Sequence, residues 1–205
     1  MAPWSPLAAR TGAGGLSNCG RSRYSAGMTA NHTRLLALLG AILAAAALRL
    51  VPHPPNFSPI AAMALFSGAY VGRRGLAFVA PLAALLLSDA VLGFYRGMSF
   101  VYGSMMLVVV IGWWLSSRRT PLRIGGAAVA SSVLFYVLTN FGMWLFSGFY
   151  PRTLAGLEAC YIAAIPFFQN TLAGDLFFTT LLFGGFAIAE RLLPAIREPS
   201  RPQAA

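Results

Sequence analysis

Asp89 and Asp175 are the side chains best placed to do chemistry in this sequence, because each sits in a stretch otherwise apolar enough to cross a lipid bilayer. An ionised carboxylate at bilayer depth costs ~3 kcal/mol or more, so such residues face a bundle interior or a wet cavity and mark pathways and binding sites. With only five acids in 205 residues, two at lipid depth imply a polar pocket. Other groups fall near the same level: Asn56 and Phe57 in a proline-rich loop, Tyr102, Asn140, Trp144, and the run Phe167-Phe168-Gln169-Asn170. Acids to polarise a ligand, amides to orient it (Asn56, Asn140, Gln169, Asn170) and aromatic walls (Phe57, Tyr102, Trp144, Phe167) match the economy of a small-molecule site. The competing reading makes the amides and threonines structural glue between helices. An acid is a costly form of glue, which favours a functional role for the two aspartates.

The elements that must position these groups are helices in a membrane. Hydrophobic residues make up 58% of the chain and charged residues only 10%, a balance foreign to ordinary soluble domains. The formal charge of +10 comes entirely from arginine. These arginines lie in short loops between apolar runs, which points to membrane topology and a lipid partner rather than to nucleic acid. Six candidate spans follow, at 35–51, 59–72, 76–95, 100–116, 124–149 and 170–190. The second, at 14 residues or ~21 Å, is short for a crossing. Arginine placement retains it. Six spans with both termini cytoplasmic put 12 arginines inside and three (Arg49, Arg96, Arg152) outside. Omitting the short span gives six inside and nine outside, against the positive-inside rule. The expected fold is an all-α bundle of six transmembrane helices over residues 34–192, with Trp113 and Trp114 in an inner aromatic belt and Phe149 and Tyr150 in an outer one.

Residues 1–33 are expected to be a disordered or non-native extension. The first 27 are rich in arginine, serine and glycine and hold no acid, the flavour of a transit peptide, of an unstructured tail, or of translated upstream sequence with the true start at Met28. Residues 193–205 read as a disordered tail. Cys19 and Cys160 fall on opposite sides of this topology, as do His32 and His53, so neither a disulfide nor a metal ligand set is expected. Gly12, Gly14 and Gly15 follow no strand and make no dinucleotide site, and no phosphate loop is present, so no cofactor is expected.

In this topology the third span places Asp89 ~9 Å below the outer surface and the sixth places Asp175 ~8 Å below it. Arg96 and Arg152 are their candidate partners. Ser58-Pro59 is a good helix start, with serine as N-cap and proline at the first helical position. The loop 52–57 is then expected to dip below the surface in place of the second helix's missing turns, lining a cavity, with a helix N-terminus aimed into it. Ser132, Tyr136, Asn140, Trp144 and Ser147 share one helical face, and so do Thr171, Asp175 and Thr179. Gly40/Ala44 and Ala41/Ala45 form small-xxx-small pairs on the first span, where a partner helix could approach closely. Glu158 reads as solvent-exposed and Glu190 as a charge at an inner helix end.

Three blocks carry a resemblance: Arg-Leu-Val-Pro-His-Pro-Pro-Asn-Phe-Ser-Pro-Ile (49–60), Leu-Ser-Asp-Ala-Val-Leu-Gly-Phe-Tyr (87–95) and Ala-Ile-Pro-Phe-Phe-Gln-Asn-Thr-Leu-Ala-Gly-Asp-Leu (164–176). With the spans between them, they make residues 34–192 resemble an uncharacterised family of small bacterial inner-membrane proteins. That family in turn is distantly similar to the substrate-binding S components of energy-coupling-factor (ECF) vitamin transporters. The resemblance implies six helices, a vitamin-like ligand near the outer face, and docking through Gly40, Ala41, Ala44 and Ala45 onto a transmembrane coupling subunit with two ATPases. The nickel/cobalt type is disfavoured, since no N-terminal Met-His start is present. The leading expectation is thus a membrane substrate-binding subunit and not an enzyme, since no serine elbow or histidine accompanies either acid. The alternatives are a ligand-free membrane scaffold and an aspartate-dependent membrane enzyme.

Overall fold

The computed structural model describes residues 16–72 and 74–198, with side chains from His32 onward. Among the described residues all regular structure is helical: α1 (Leu16–Leu48), α2 (Ile60–Tyr70), α3 (Arg74–Leu92), α4 (Met98–Leu115), α5 (Pro121–Phe146), α6 (Leu154–Thr179) and α7 (Gly185–Leu192). A π turn, Thr180–Gly184, joins α6 to α7, and a 3-10 turn, Pro194–Ile196, follows. Four helical stretches are long and apolar enough to cross a membrane: α3, α4, α5 and the continuous run Leu154–Leu192. Their outward faces are apolar as well, with Leu87, Val91, Val110, Phe177 and Ile188 exposed. Helices that are hydrophobic all round suit a lipid surrounding.

The short helix α2 is the centre of the bundle. Nine of its 11 residues are buried, and it packs against α1, α3, α4, α5 and α6. Its composition allows this. Alanines and Gly68 keep it thin, and a Cβ on Gly68 would collide with the Val109 carbonyl of α4, as one on Gly112 would with the Leu65 carbonyl. The two backbones therefore cross in contact, the way small residues let membrane helices approach. Pro81 in mid-α3 has no N–H for the Ala77 carbonyl one turn back. The Ser67 hydroxyl of α2 donates to that carbonyl at 2.8 Å instead, closing a polar gap inside an apolar layer.

Several boundaries differ from those read in the sequence. α2 starts one residue later than expected. Pro59 occupies the N-cap position, no side chain caps the helix, and the Ser58 hydroxyl is buried without a partner. The last long helix starts at Leu154, not near residue 170. Pro166 sits within it, since one missing N–H interrupts a long helix without ending it. Asp175 consequently lies near the middle of a 39-residue run, far deeper along its helix than the ~8 Å of the sequence estimate. α1 begins at Leu16, so residues 16–33, expected to be disordered or non-native, are helical. No proline interrupts the chain between Leu7 and Val51, and extending a formed helix costs little. The expectations for residues 1–15 and for the Cys19 side chain lie outside the described residues.

The arginines gather at one end. Arg34 pairs with Glu190 at 2.6 Å and donates to the Ile196 carbonyl at 2.7 Å. Arg119 pairs with Glu198 and lies over the Tyr70 ring. Arg74 and Arg123 stack on Trp113 and Trp114. Residues 193–198 are thereby fastened to the bundle rather than disordered, with Ile196 only 5% exposed. Residues 199–205 lie outside the described residues.

Candidate functional site

Three segments meet at the opposite end, and they are the three blocks singled out in the sequence. The first is the loop after α1. Phe57 N–H donates to the Pro54 carbonyl at 3.0 Å, closing a turn whose central residues are Pro55 and Asn56. Asn56 has φ +64, the left-handed conformation that a turn with proline before it requires and that asparagine tolerates. Asn170 clamps this turn to α6 by donating to the Pro55 carbonyl at 3.0 Å. Phe57 packs on Phe177 and Phe178 with ring centroids 5.8 and 5.4 Å away. Gly174 makes the approach possible: a Cβ there would stand 3.0 Å from the Ser58 nitrogen and 3.1 Å from the Phe57 Cα. Asp175, the next residue, lies directly beneath the loop.

Asp175 is 3% exposed and accepts one side-chain hydrogen bond, from Ser132 of α5 at 2.6 Å. It forms part of the wall of a chamber of about 60 Å³ with Asn56, Ser58, Ile60, Ala61, Met105, Phe135 and Thr171. A second, larger cavity of about 590 Å³ shares Asn56, Ser58, Ile60, Phe135 and Thr171 with that chamber. This vestibule is walled by Tyr95, Tyr136, Asn140, Phe167 and Phe168, with Arg49, His53 and Arg96 also in its lining. Its volume is that of a pocket for a small organic molecule. The chamber behind it has room for a group of a few atoms.

Asp89 belongs to a different device. It is fully buried. Arg49, at the end of α1, pairs with Oδ1 at 2.7 Å, and the Tyr102 hydroxyl donates to Oδ2 at 2.9 Å. The Ser88 hydroxyl also contacts the Arg49 guanidinium. Both carboxylate oxygens are engaged, and the cluster ties α1, α3 and α4 together. The partners expected from sequence, Arg96 and Arg152, do other things: Arg96 lines the vestibule, and Arg152 donates to the Leu145 carbonyl at 2.9 Å. Arg49 won because α1 and α3 end side by side, a lateral pairing that hydropathy does not encode.

Of the residues picked from the sequence, the fold brings Asp175, Asn56, Asn140 and Phe167 around the two adjoining cavities. The others lie outside the lining. Phe57 and Asn170 build the loop beside it, and Tyr102 serves Asp89. Trp144 donates to the Pro151 carbonyl at 3.0 Å across the α5–α6 turn, and Gln169 is exposed. Ser132, Tyr136 and Asn140 share one α5 face, as their spacing implied, and the fold turns that face to α6. It is part site and part glue: Ser132 meets Asp175, while Tyr136 donates to the Tyr161 carbonyl at 2.6 Å. Sequence reasoning passed over Phe135 and Met105, which carry no signal that separates them from any other apolar helix residue, and gave Phe168 no role within its run. On α1, Gly40 and Ala44 face outward, whereas Ala45 is buried at 4% exposure. The two small-residue pairs therefore lie on different faces, and Ala45 is already used inside the bundle.

The chain belongs to a family of unknown function (DUF6580), which it matches over residues 29–196. No curated protein and no solved structure matches it.

Proposed function

We propose that this member of the family is a membrane-embedded binding subunit that takes up a small, vitamin-like molecule from the outer side of a bacterial inner membrane. The observation that carries this reading is the pair of adjoining cavities with Asp175 in the wall of the smaller, beside a loop that Gly174 and Asn170 hold in place. A buried, mostly apolar pocket with a few convergent polar groups is the usual form of a small-molecule site. In this reading all of α1 to α6 cross the membrane. The arginine-rich end is cytoplasmic together with both termini, in keeping with the positive-inside rule, and the vestibule opens outward. The S-component-like arrangement suggested by the three blocks adds a separate coupling subunit with ATPases, since this chain carries no phosphate loop. The outward Gly40/Ala44 face of α1 is the candidate contact for that subunit.

Native mass spectrometry of protein purified gently from its own host tests the proposal. A small molecule should accompany the wild type and be missing from Asp175→Asn. A bare protein in both cases, with equal stability, would shift the reading to a ligand-free scaffold.

A further inference from the structure

Resting on the binding-subunit reading, the chamber also restricts what the ligand can be. Asp175 is as deeply buried as Asp89 but lacks its compensation. No arginine or histidine among the described residues pairs with it. Ser132 engages Oδ2 at 2.6 Å, which leaves Oδ1 to meet a ligand. Three other polar groups stand in the chamber wall, those of Asn56, Thr171 and Ser58. The Thr171 hydroxyl is committed to the Phe167 carbonyl at 3.1 Å, and the Ser58 hydroxyl is buried with no partner. The start of α2 also borders the chamber through Ile60 and Ala61, uncapped by any side chain. A helix N-terminus carries about half a positive charge, so it supports a carboxylate without cancelling it. The Asn56 amide supplies side-chain N–H groups, so the remaining deficit is one of positive charge.

We infer that the ligand is a flat nitrogen base whose basic, N–H-bearing edge enters the chamber and donates to Asp175, with its ring lying in the aromatic vestibule. The acid and the base share one proton. Whether that proton rests on the ligand nitrogen or on Oδ1, the pair is neutral overall, which suits a deeply buried site. The chamber's 60 Å³ admits an amino or amidino group but not a ring system. The vestibule, with Phe135, Tyr136, Phe167 and Phe168 in its walls, offers planar faces on which a ring can stack. An anionic group aimed at the chamber would meet the carboxylate and be rejected. A divalent metal would find one acid where such ions take several oxygen ligands.

The test uses the full chain in lipid nanodiscs and three probes of one shape: benzylamine, benzyl alcohol and benzoate. Binding is read by calorimetry. Benzylamine should bind wild type about 10- to 100-fold more tightly than benzyl alcohol, the range expected for a charge-assisted hydrogen bond, and benzoate should bind most weakly. In Asp175→Asn the preference for the amine should fall to within about 3-fold, a residual of the size left by a neutral hydrogen bond. Ala163→Trp, which narrows the vestibule from an exposed position in its wall, should weaken all probes together. The ranking in wild type stands by itself if a variant fails to fold. Equal binding of the three probes, lost together in Ala163→Trp, would overturn the nitrogen-base assignment and leave the pocket intact. No binding of any probe would overturn both. Stabilisation by sodium chloride over equal potassium chloride, with benzylamine displaced by sodium, would assign the chamber to a bare cation and also overturn the inference.

Discussion

Asp89 and Asp175 look alike in the sequence, each a lone acid in an apolar helix, and the fold gives them opposite circumstances. Asp89 has both oxygens engaged, with Arg49 on one and Tyr102 on the other. Asp175 has one serine hydroxyl and faces an internal chamber. A buried acid with both oxygens engaged by its own protein, one of them by a cation, holds helices together. One that is left short of partners, beside a cavity, is available to something that is not part of the protein. Burial alone does not separate the two cases; the inventory of partners does.

The largest effect that would break this comparison is at the ion pair. Arg49→Ala leaves the Asp89 carboxylate buried and uncompensated, which should cost ~3–5 kcal/mol, read as a lowered unfolding temperature in detergent or nanodiscs. The double variant Arg49→Leu/Asp89→Leu should recover most of that loss, because replacing a buried pair by apolar groups is often neutral. A harmless Arg49→Ala would mean that Asp89 is not the lock described here.

Gly174→Ala comes next. The added Cβ meets the backbone of Phe57 and Ser58 at 3.0–3.1 Å, and strain of this kind costs ~1–3 kcal/mol. The loop must shift off α6, so the same variant should lose its bound small molecule, and limited proteolysis should cut near residue 55 faster than in wild type.

A smaller effect is expected at Asn56. Asn56→Ala places an alanine at φ +64 and should cost ~1 kcal/mol, while Asn56→Gly should be nearly neutral in stability because glycine adopts that conformation freely. Both variants should bind the ligand more weakly, since both remove an amide from the chamber and vestibule walls. Thermal melts set beside binding measurements separate the backbone effect from the side-chain effect.

Asp175→Asn should change the stability of the empty protein least, by under ~1 kcal/mol in either direction, since asparagine keeps a hydrogen bond to Ser132 and removes a costly charge. Asp89→Asn, measured alongside, should be clearly destabilising because it strands Arg49. Equal destabilisation by the two asparagine variants would erase the contrast and make both aspartates structural.

Much of the architecture was legible in advance. Apolar runs located the helices, the short second one included, although the last begins 16 residues before its run. The site was half legible. Side-chain spacing put Ser132, Tyr136 and Asn140 on one α5 face, and that face does meet α6. The pairing of Arg49 with Asp89 was not, because it depends on which helices are neighbours. The place of Asp175 along its helix is not legible either: hydropathy starts the last span near residue 170, whereas the helix begins at Leu154 and carries Pro166 inside it.

By itself the sequence determined the helical character of its apolar runs, the proline-rich loop between the first two and the presence of acids where acids are expensive. Those follow from local composition: how many apolar residues run together, and where prolines and acids fall among them. Only the tertiary structure decided which acid is locked and which is open. That choice rests on the lateral order and rotation of the helices, fixed by close crossings such as Gly68 against Gly112 and Gly174 against the loop, and hydropathy along one chain carries no record of them.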